Sequence, residues 1–168
     1  MDKGYVKIYC GVGRGKSTAA FGRALICASQ GKKVVIVQFL KGKLTEELDY
    51  LRCLETNIKL FRFEREDDYY ENLSSEEKLD ENRNIRNGLN FVRKVLSVGE
   101  CDLLVLDEIL GLVDLGIVTP EEILDMVELR NEPMEIVMTG RHLPEALADY
   151  ADYISEFNVM KDEISGNS

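Results

Sequence analysis

The sequence predicts an α/β fold: a mostly parallel β-sheet with helices on both faces, formed by a single domain over residues 1–168. Short apolar runs alternate with helix-length amphipathic stretches, which is the order expected when crossover helices connect parallel strands. Several of the runs are continuous in Val, Ile and Leu, as expected for strands covered on both faces. A length of 168 residues, with 45% apolar and 31% charged residues, suits one globular domain with a real core.

Six apolar runs predict the strands, in chain order. They are Tyr5–Cys10, Lys33–Leu40, Ile58–Phe63, Leu103–Leu106, Glu135–Thr139 and Tyr153–Val159. Five amphipathic stretches between them predict helices, namely Lys16–Ser29, Thr45–Glu55, Ser75–Ser97, Pro120–Leu129 and Pro144–Ala151. Gly31 and Gly99 follow two of these helices, where glycine commonly ends a helix.

An acidic stretch, EREDDYYENLSSEEKLDEN at residues 64–82, precedes the longest predicted helix. Ser74 or Ser75 is the expected N-cap, because a serine hydroxyl can accept from the N–H groups of the first turn. Glu76 and Glu77 then lie near the positive end of the helix dipole. The stretch is therefore interpreted as a solvated loop and a helix start.

The charge balance argues against a protein whose main task is to hold nucleic acid. The net charge is −10, whereas binding to a phosphate backbone depends on clustered Lys and Arg. Basic residues are nevertheless close together near the N-terminus: Arg14, Lys16, Arg23, Lys32 and Lys33. The prediction is a local attraction for a small polyanion on an otherwise acidic molecule.

Cysteine and histidine give little support for a zinc or iron–sulfur site. The four cysteines, Cys10, Cys27, Cys53 and Cys101, form no C-x-x-C pair, and His142 is the single histidine. We expect buried, reduced thiols. No apolar run approaches the roughly 20 residues that span a bilayer, and the first residues lead directly into a strand pattern without a secretory signal. The expected location is cytoplasmic.

The first chemical motif is a strand, a glycine-rich turn and a helix: VKIYCGVGRGKSTAAFGRAL, residues 6–25. Three glycines would let backbone N–H groups curl around an anion: Gly11, Gly13 and Gly15. Lys16 adds a point charge, and Ser17 can offer a hydroxyl to Mg²⁺. The general pattern G-x-x-x-x-G-K-[ST] has glycine where Cys10 stands, so the match is incomplete. A phosphate site is predicted; a purely structural glycine turn is the alternative.

The second motif, CDLLVLDE at residues 101–108, ends an apolar strand with Asp107 and Glu108. Mg²⁺ prefers such hard oxygen ligands and keeps much of its water.

The third motif, IVMTGRHLPEAL at residues 136–147, places Arg141 just after another strand. Its guanidinium could clamp phosphate oxygens, because ligands of open parallel sheets bind at the carboxyl ends of the strands. A solvated arginine in a strand-to-helix turn is the alternative, and His142 is expected to be a loop residue.

Six blocks in this order and spacing resemble the ATP:corrinoid adenosyltransferases, over about Tyr5 to Val159. The blocks are GRGKSTAAFG, GKKVVIVQFLKG, DLLVLDEILGLVDLG, EEILDMVELR, VMTGRHLPEAL and ADYISE. The resemblance implies a RecA-like P-loop NTPase fold, a homodimer, and ATP with Mg²⁺ or Mn²⁺. It implies transfer of the 5'-deoxyadenosyl group of ATP to a Co(I) corrinoid, with release of triphosphate, in adenosylcobalamin synthesis. A reduced flavoprotein is an implied electron donor.

The resemblance also implies roles for individual residues. The loop that would wrap the triphosphate consists of Gly11, Val12, Gly13, Arg14, Gly15, Lys16, Ser17 and Thr18. Gln38, Lys41 and Arg141 would line the nucleotide site, with Lys16 and Arg141 as the catalytic residues. Ser17 with Asp107 or Glu108 would hold the metal ion. The family commonly has a residue other than glycine at the position of Cys10, so the lack of glycine there is expected from the resemblance.

The chain departs from the family in several places. Val12 replaces an asparagine, Arg14 a lysine and Ile26 a common arginine. The Gly-Phe-Thr-Trp stretch that the family places beneath the corrin is absent, and the chain has no tryptophan. Tyr69 and Tyr70 lie in the corresponding loop and are the predicted substitutes. The basic tail of the family is reduced to MKDEISGNS, residues 160–168.

Two other functions stay open at the level of the sequence. One is a P-loop ATP-binding paralogue without corrinoid activity, either a regulatory protein or an ordinary NTPase. The other is a small-molecule kinase, which is less favoured because the chain shows no Arg-rich lid segment.

Overall fold

The described strands form one sheet, in which every pairing is parallel. A computed structural model describes residues 2–40, 57–63 and 69–164. The strands are β1 (Val6–Cys10), β2 (Val34–Gln38), β3 (Ile58–Arg62), β4 (Leu103–Asp107), β5 (Glu135–Thr139) and β6 (Tyr153–Glu156). Their order across the sheet is β3-β2-β4-β5-β1-β6. The six predicted strands are confirmed, with ends that differ by up to three residues.

Five helices of the described residues connect these strands. They are α1 (Lys16–Ser29), α2 (Ser75–Val98), α3 (Ile109–Asp114), α4 (Pro120–Val127) and α5 (Glu145–Tyr150), with a 3₁₀ turn at Tyr70–Asn72 before α2. Four of the five predicted helices are confirmed. The fifth, Thr45–Glu55, lies outside the described residues. The short helix α3 was not predicted.

Local sequence chemistry sets the helix ends. Ser74, rather than Ser75, is the N-cap of α2: its hydroxyl accepts from the N–H of Glu77, and the Glu77 carboxylate accepts from the N–H of Ser74. Gly99 ends α2 in the left-handed region, with φ of 71°. Thr119 caps α4 with the same reciprocal arrangement. These caps satisfy backbone groups that the helices themselves leave unpaired.

The apolar core is divided between the two faces of the sheet. Alternate residues of a strand point to opposite faces, so Val34 and Ile36 of β2 pack with the α1 residues Ala20 and Ala24. Val35 and its alternating neighbours on β4 and β5 pack instead against α2, α3 and α4. Helices therefore cover both faces, as the continuous apolar strands predicted.

The strand order brings the chemical motifs to one edge. In a parallel sheet all the carboxyl ends lie at the same edge, and β5 lies between β1 and β4. The glycine turn after β1, the acids after β4 and the Thr-Gly-Arg turn after β5 are therefore neighbours. None of the helices in the described ranges is both long and apolar enough to cross a membrane.

The described cysteines are buried thiols, as expected. Cys10, Cys27 and Cys101 are free and buried, while Cys53 lies outside the described residues. Burial raises the pKa of the Cys101 thiol to about 12, with a smaller contribution from the Asp102 carboxylate. These three thiols are consequently protonated near neutral pH.

Candidate functional site

The glycine turn between β1 and α1 is shaped by two backbone hydrogen bonds to other loops. The Gly11 N–H donates to the Arg141 carbonyl at 3.0 Å, and the Gly13 N–H donates to the Phe157 carbonyl at 2.7 Å. Gly11 and Gly15 adopt φ of 111° and 103°, which side chains strongly disfavour. The Gly11 and Gly13 N–H groups thus both donate to protein carbonyls, and the prediction that this turn holds a phosphate stays a prediction.

The segment after β6 forms one wall of this turn. A Cβ atom on Gly13 would lie 2.6 Å from the Phe157 carbonyl oxygen, and one on Gly11 would lie 2.5 Å from it. The Phe157 N–H donates in turn to the Cys10 carbonyl at 2.8 Å. Glycine is thus required here for the close approach of two backbones. Sequence reasoning missed Phe157, and no sequence signal could have found it, because it acts through its main chain.

The backbone N–H groups just before and within the first turn of α1 differ from those of Gly11 and Gly13. No hydrogen bond of the Arg14, Gly15 or Thr18 N–H groups is found among the described residues. Such groups at a helix N-terminus, together with the helix dipole, bind phosphate. The Lys16 side chain is only 8% exposed, and its ammonium donates to the Gly13 carbonyl at 2.6 Å. The lysine is thus held at the loop, where it can meet an anion.

A buried cluster of oxygen atoms adjoins this helix start. Asp107 is fully buried, and its Oδ1 accepts from the hydroxyl groups of Ser17 and Thr139, each at 2.7 Å. Its Oδ2 accepts from Gln38 Nε2 at 3.0 Å. These four residues come from α1, β2, β4 and β5, which the parallel topology brings together. Gln38 was predicted to line the site; Thr139 was not assigned a role.

The oxygen atoms of this cluster are suitable ligands for a magnesium ion. The Ser17 hydroxyl and the Asp107 carboxylate are adjacent hard oxygens, and Mg²⁺ commonly takes one or two carboxylates beside phosphates and water. Gln38 Oε1 is buried and has no hydrogen-bond partner among residues 2–40, 57–63 and 69–164, so it is an acceptor available to a metal-bound water. Within the described ranges, no group of three or more His, Cys, Asp or Glu side chains forms a metal site. Ser17 and Asp107 would supply two oxygen ligands and leave the remaining positions to water and phosphate, as is usual for Mg²⁺.

Glu108, the residue after Asp107, joins this cluster through its main chain. It adopts the left-handed conformation, φ 62° and ψ 18°, and precedes α3. Its N–H donates to Thr139 Oγ1 at 2.8 Å, and its carboxylate lies over Gly111, where a Cβ would be 3.2 Å from Oε2. Asp107, the other candidate acid, accepts from the Ser17 hydroxyl.

The two arginines predicted for the phosphates are both exposed. Arg14 lies in the glycine turn, and Arg141 follows β5 with its carbonyl bound to the turn. No hydrogen bond or ion pair of the Arg141 side chain is found in the described part of the chain. His142, the next residue, is an exposed loop residue that contacts Asp114 at 2.9 Å.

The predicted basic cluster does not form as a unit. Arg23 donates to both carboxylate oxygens of Glu135, at 2.9 and 2.7 Å, and Lys7 lies 3.0 Å from the same carboxylate. The hydrogen bond from Arg23 lowers the pKa of Glu135, against the opposing effect of burial. Lys33 precedes β2 and therefore lies at the amino ends of the strands, opposite to the edge that carries the glycine turn. The local positive charge at the turn therefore comes from Arg14 and Lys16.

The two tyrosines predicted for the corrinoid side have different environments. Tyr69 is 70% exposed, whereas the Tyr70 hydroxyl donates to Asn82 Oδ1 at 2.8 Å. The Lys78 ammonium also lies 5.5 Å from the centre of the Tyr70 ring. Tyr70 is thus packed against α2. Lys41, the remaining predicted site residue, lies outside the described residues.

Comparisons with known proteins agree with this geometry. The sequence matches the family described as ATP:corrinoid adenosyltransferase BtuR/CobO/CobP over residues 2–167. It is 27% identical to a corrinoid adenosyltransferase of Escherichia coli K12 over 95% of this chain and 79% of that protein. A Pseudomonas aeruginosa corrinoid adenosyltransferase is 28% identical, over 95% and 77% of the two chains.

A solved structure shows the same fold. The chain is similar to a KaiC-like protein of Pyrococcus horikoshii, with a TM-score of 0.57, 17% identity, and coverage of 95% of this chain and 75% of that one. This likeness, together with the parallel sheet, confirms the RecA-like P-loop NTPase fold.

Proposed function

Because the chain belongs to the ATP:corrinoid adenosyltransferase family, we propose that it transfers the 5'-deoxyadenosyl group of ATP to a Co(I) corrinoid in adenosylcobalamin synthesis. An electron pair of Co(I) attacks the ribose C5' atom, so that a cobalt–carbon bond forms. The C5'–O bond to the α-phosphate breaks, and its electron pair leaves with triphosphate. Cobalt becomes formally Co(III). No proton is transferred in this step, so no general base is required.

The protein then has two tasks, which are to place C5' beside the cobalt and to stabilise the departing triphosphate. The N–H groups of Arg14, Gly15 and Thr18 and the Lys16 ammonium would bind the phosphates. Arg141 would add a guanidinium whose geometry matches phosphate oxygens. Ser17 and Asp107 would hold Mg²⁺ or Mn²⁺, which supplies further charge neutralisation when bound.

The single observation that carries this proposal is the 2.7 Å hydrogen bond between Ser17 and Asp107. A purely structural glycine turn has no need for a buried carboxylate against the first turn of the following helix. A metal–nucleotide site does, because Ser17 and Asp107 would together hold Mg²⁺ beside the phosphates. The bond joins two motifs that are 90 positions apart in the sequence.

The reaction can be tested with ATP, Mg²⁺ and chemically reduced cobalamin. We expect the Co(I) absorbance to disappear together with formation of triphosphate and a light-sensitive alkylcobalamin. Lys16→Ala should abolish the reaction while the fold is retained. Lys33→Ala is the matched control: it removes an exposed lysine at the opposite edge of the sheet and should react as the wild type does. Wild-type turnover by Lys16→Ala would contradict the assigned phosphate site.

An ATP-binding paralogue without corrinoid activity is the second candidate function. It is favoured by Tyr70, whose hydrogen bond to Asn82 and contact with Lys78 already account for its side chain. ADP and orthophosphate as products, without alkylcobalamin, would support this alternative. The same assay therefore separates the two candidates by their phosphate product.

The corrinoid side can be tested separately. Tyr69→Ala should impair reaction with Co(II) plus reductant more than reaction with preformed Co(I), if this exposed ring displaces the lower ligand of cobalt. Tyr70→Phe removes only the hydroxyl bound to Asn82 and serves as the comparison. Equal effects on both cobalt states would exclude this role for Tyr69.

We also propose a cytoplasmic homodimer that receives electrons from a reduced flavoprotein.

A further inference from the structure

Thr139 joins the two acids of the site through one hydroxyl group. The residue is fully buried at the end of β5, the strand that lies between β1 and β4. Its Oγ1 donates to Asp107 Oδ1 at 2.7 Å and accepts from the Glu108 N–H at 2.8 Å. Both hydrogen-bonding directions of the hydroxyl are thereby used.

The first of these bonds fixes the direction of the Asp107 carboxylate. Oδ1 accepts from Ser17 as well as from Thr139, and Oδ2 accepts from Gln38. A carboxylate held at both oxygens cannot rotate freely about its χ2 angle. The oxygen shared with Ser17 is therefore presented to the start of α1, where the phosphates would bind.

The second bond holds a backbone turn that is otherwise unfavourable. Glu108 has φ of 62°, in a region that residues other than glycine seldom occupy. Its N–H points to Thr139 instead of extending the strand ladder of β4. The Glu108 carboxylate lies over Gly111, where a Cβ would be 3.2 Å from Oε2. One hydroxyl thus anchors both acids, Asp107 through its side chain and Glu108 through its main chain.

We infer that Thr139 is a positioning residue of the metal–nucleotide site, acting through Asp107 and Glu108 without contacting the metal itself. The inference rests on the proposed function, since it assumes that Asp107 helps to hold a divalent ion beside ATP. Partners that orient metal ligands typically contribute about 10–100-fold to metal affinity. A threonine that only fills space in the core would contribute to stability and not to metal affinity.

The test measures the dissociation constant of ATP by calorimetry, in the presence of EDTA and at increasing Mn²⁺ concentrations. In the wild type, Mn²⁺ should tighten ATP binding. Thr139→Val keeps the shape but removes the hydroxyl, and it should require about 10–100-fold more Mn²⁺ for the same effect. ATP affinity in EDTA should change much less. Thr139→Ser restores the hydroxyl and should restore the Mn²⁺ dependence.

Thr119→Val is the matched control for stability. Thr119 caps α4, so this variant also loses a threonine hydroxyl that accepts from a backbone N–H, here that of Glu122. It should be destabilised yet show the wild-type Mn²⁺ dependence. If Thr139→Val does not fold, Thr139→Ala removes the same hydroxyl without adding volume and carries the test.

The possible results separate the inference from the proposed function. An unaltered Mn²⁺ dependence in the Thr139 variants, with a metal-dependent wild type, would overturn the inference alone. A loss of Mn²⁺ dependence that follows stability equally in the Thr119 and Thr139 variants would also overturn it. A wild type in which Mn²⁺ has no influence on ATP binding would remove the metal site of the proposed function, and the inference with it.

Discussion

The contact between Gly13 and Phe157 makes a sharp prediction for Gly13→Ala. The new methyl group would lie 2.6 Å from the Phe157 carbonyl oxygen, 2.7 Å from the carbonyl carbon and 3.0 Å from the Asn158 nitrogen. All three atoms belong to the main chain, so none can move aside as the end of a flexible side chain could. Either the glycine turn or the segment after β6 must shift.

The size of the effect follows from these distances. Adding a methyl group to a closely packed site typically costs about 1–3 kcal/mol. The 2.7 Å hydrogen bond from the Gly13 N–H to Phe157 contributes about 1 kcal/mol more if the shift breaks it. If the turn yields while the fold stays intact, the same energy appears as lost ATP affinity, at about 1.4 kcal/mol per factor of ten. We therefore expect ATP binding to weaken at least about tenfold.

Gly22→Ala is the matched control for this substitution. Gly22 lies in α1, nothing lies within 4 Å of its ideal Cβ, and alanine is the better helix former by about 0.5–1 kcal/mol. Urea unfolding and binding of a fluorescent ATP analogue, measured on both variants, give the comparison. Gly22→Ala should be as stable as the wild type or more so, with unchanged binding. A Gly13→Ala protein with wild-type stability and affinity would refute the reasoning.

Three further predictions concern the surroundings of the site. Glu135→Gln weakens the bond to Arg23 and should cost about 1–3 kcal/mol in urea unfolding at neutral pH. Because the pKa of Glu135 is lowered in the folded state, the stability advantage of the wild type is complete above the ordinary pKa of 4.5 and should vanish as the pH falls through the lowered pKa. Equal stability differences at neutral pH and at about pH 3 would contradict this prediction. Gly88→Ala should destabilise by about 1–3 kcal/mol, since its Cβ would lie 2.7 Å from the Phe63 ring; an unchanged thermal midpoint would count against this packing. Ser74→Ala should cost about 1 kcal/mol by loss of the capping box of α2, and chemical denaturation with no change in midpoint would exclude it.

The parts of the structure that sequence reasoning predicted are those determined by nearby residues. The strand–turn–helix unit from β1 to α1 follows from an apolar run, glycines at a turn and an amphipathic stretch that begins with Lys16. The start of α2 follows from the Ser74–Glu77 spacing, which is a local capping signal. The parallel order follows from the alternation of strands and helices. None of these inferences needs a distant contact.

The missed features depend on residues far apart in the sequence. Thr139 could be placed at a strand end, but its bonds to Asp107 and Glu108 follow only from the order β4-β5-β1. Sequence reasoning assigned Arg23 to a basic cluster. Its partner, Glu135, is 112 positions away, so their ion pair could not be recognised from the sequence. The short helix α3 was missed for a different reason, since its six residues are too few for an apolar periodicity to emerge.

The cysteine at the position where the general pattern has glycine is explained by its location in the strand. Cys10 is the last residue of β1, and its side chain is buried in the core on the face covered by α2. Its backbone is outside the left-handed region, so this position does not require glycine. Burial, more than the nearby Glu156 carboxylate, raises the pKa of its thiol, so the group is an inert part of the core.

Cys10→Gly, which restores the general pattern, should therefore weaken the protein. Loss of the buried side chain and the greater freedom of glycine in a strand should together cost about 1–3 kcal/mol in urea unfolding. ATP affinity should stay at the wild-type level, because the N–H groups proposed to bind phosphate are those of Arg14, Gly15 and Thr18. Cys10→Ala isolates the loss of the thiol and should be intermediate in stability. Tighter ATP binding by Cys10→Gly would mean that position 10 limits the phosphate site itself, contrary to the structural role assigned to it.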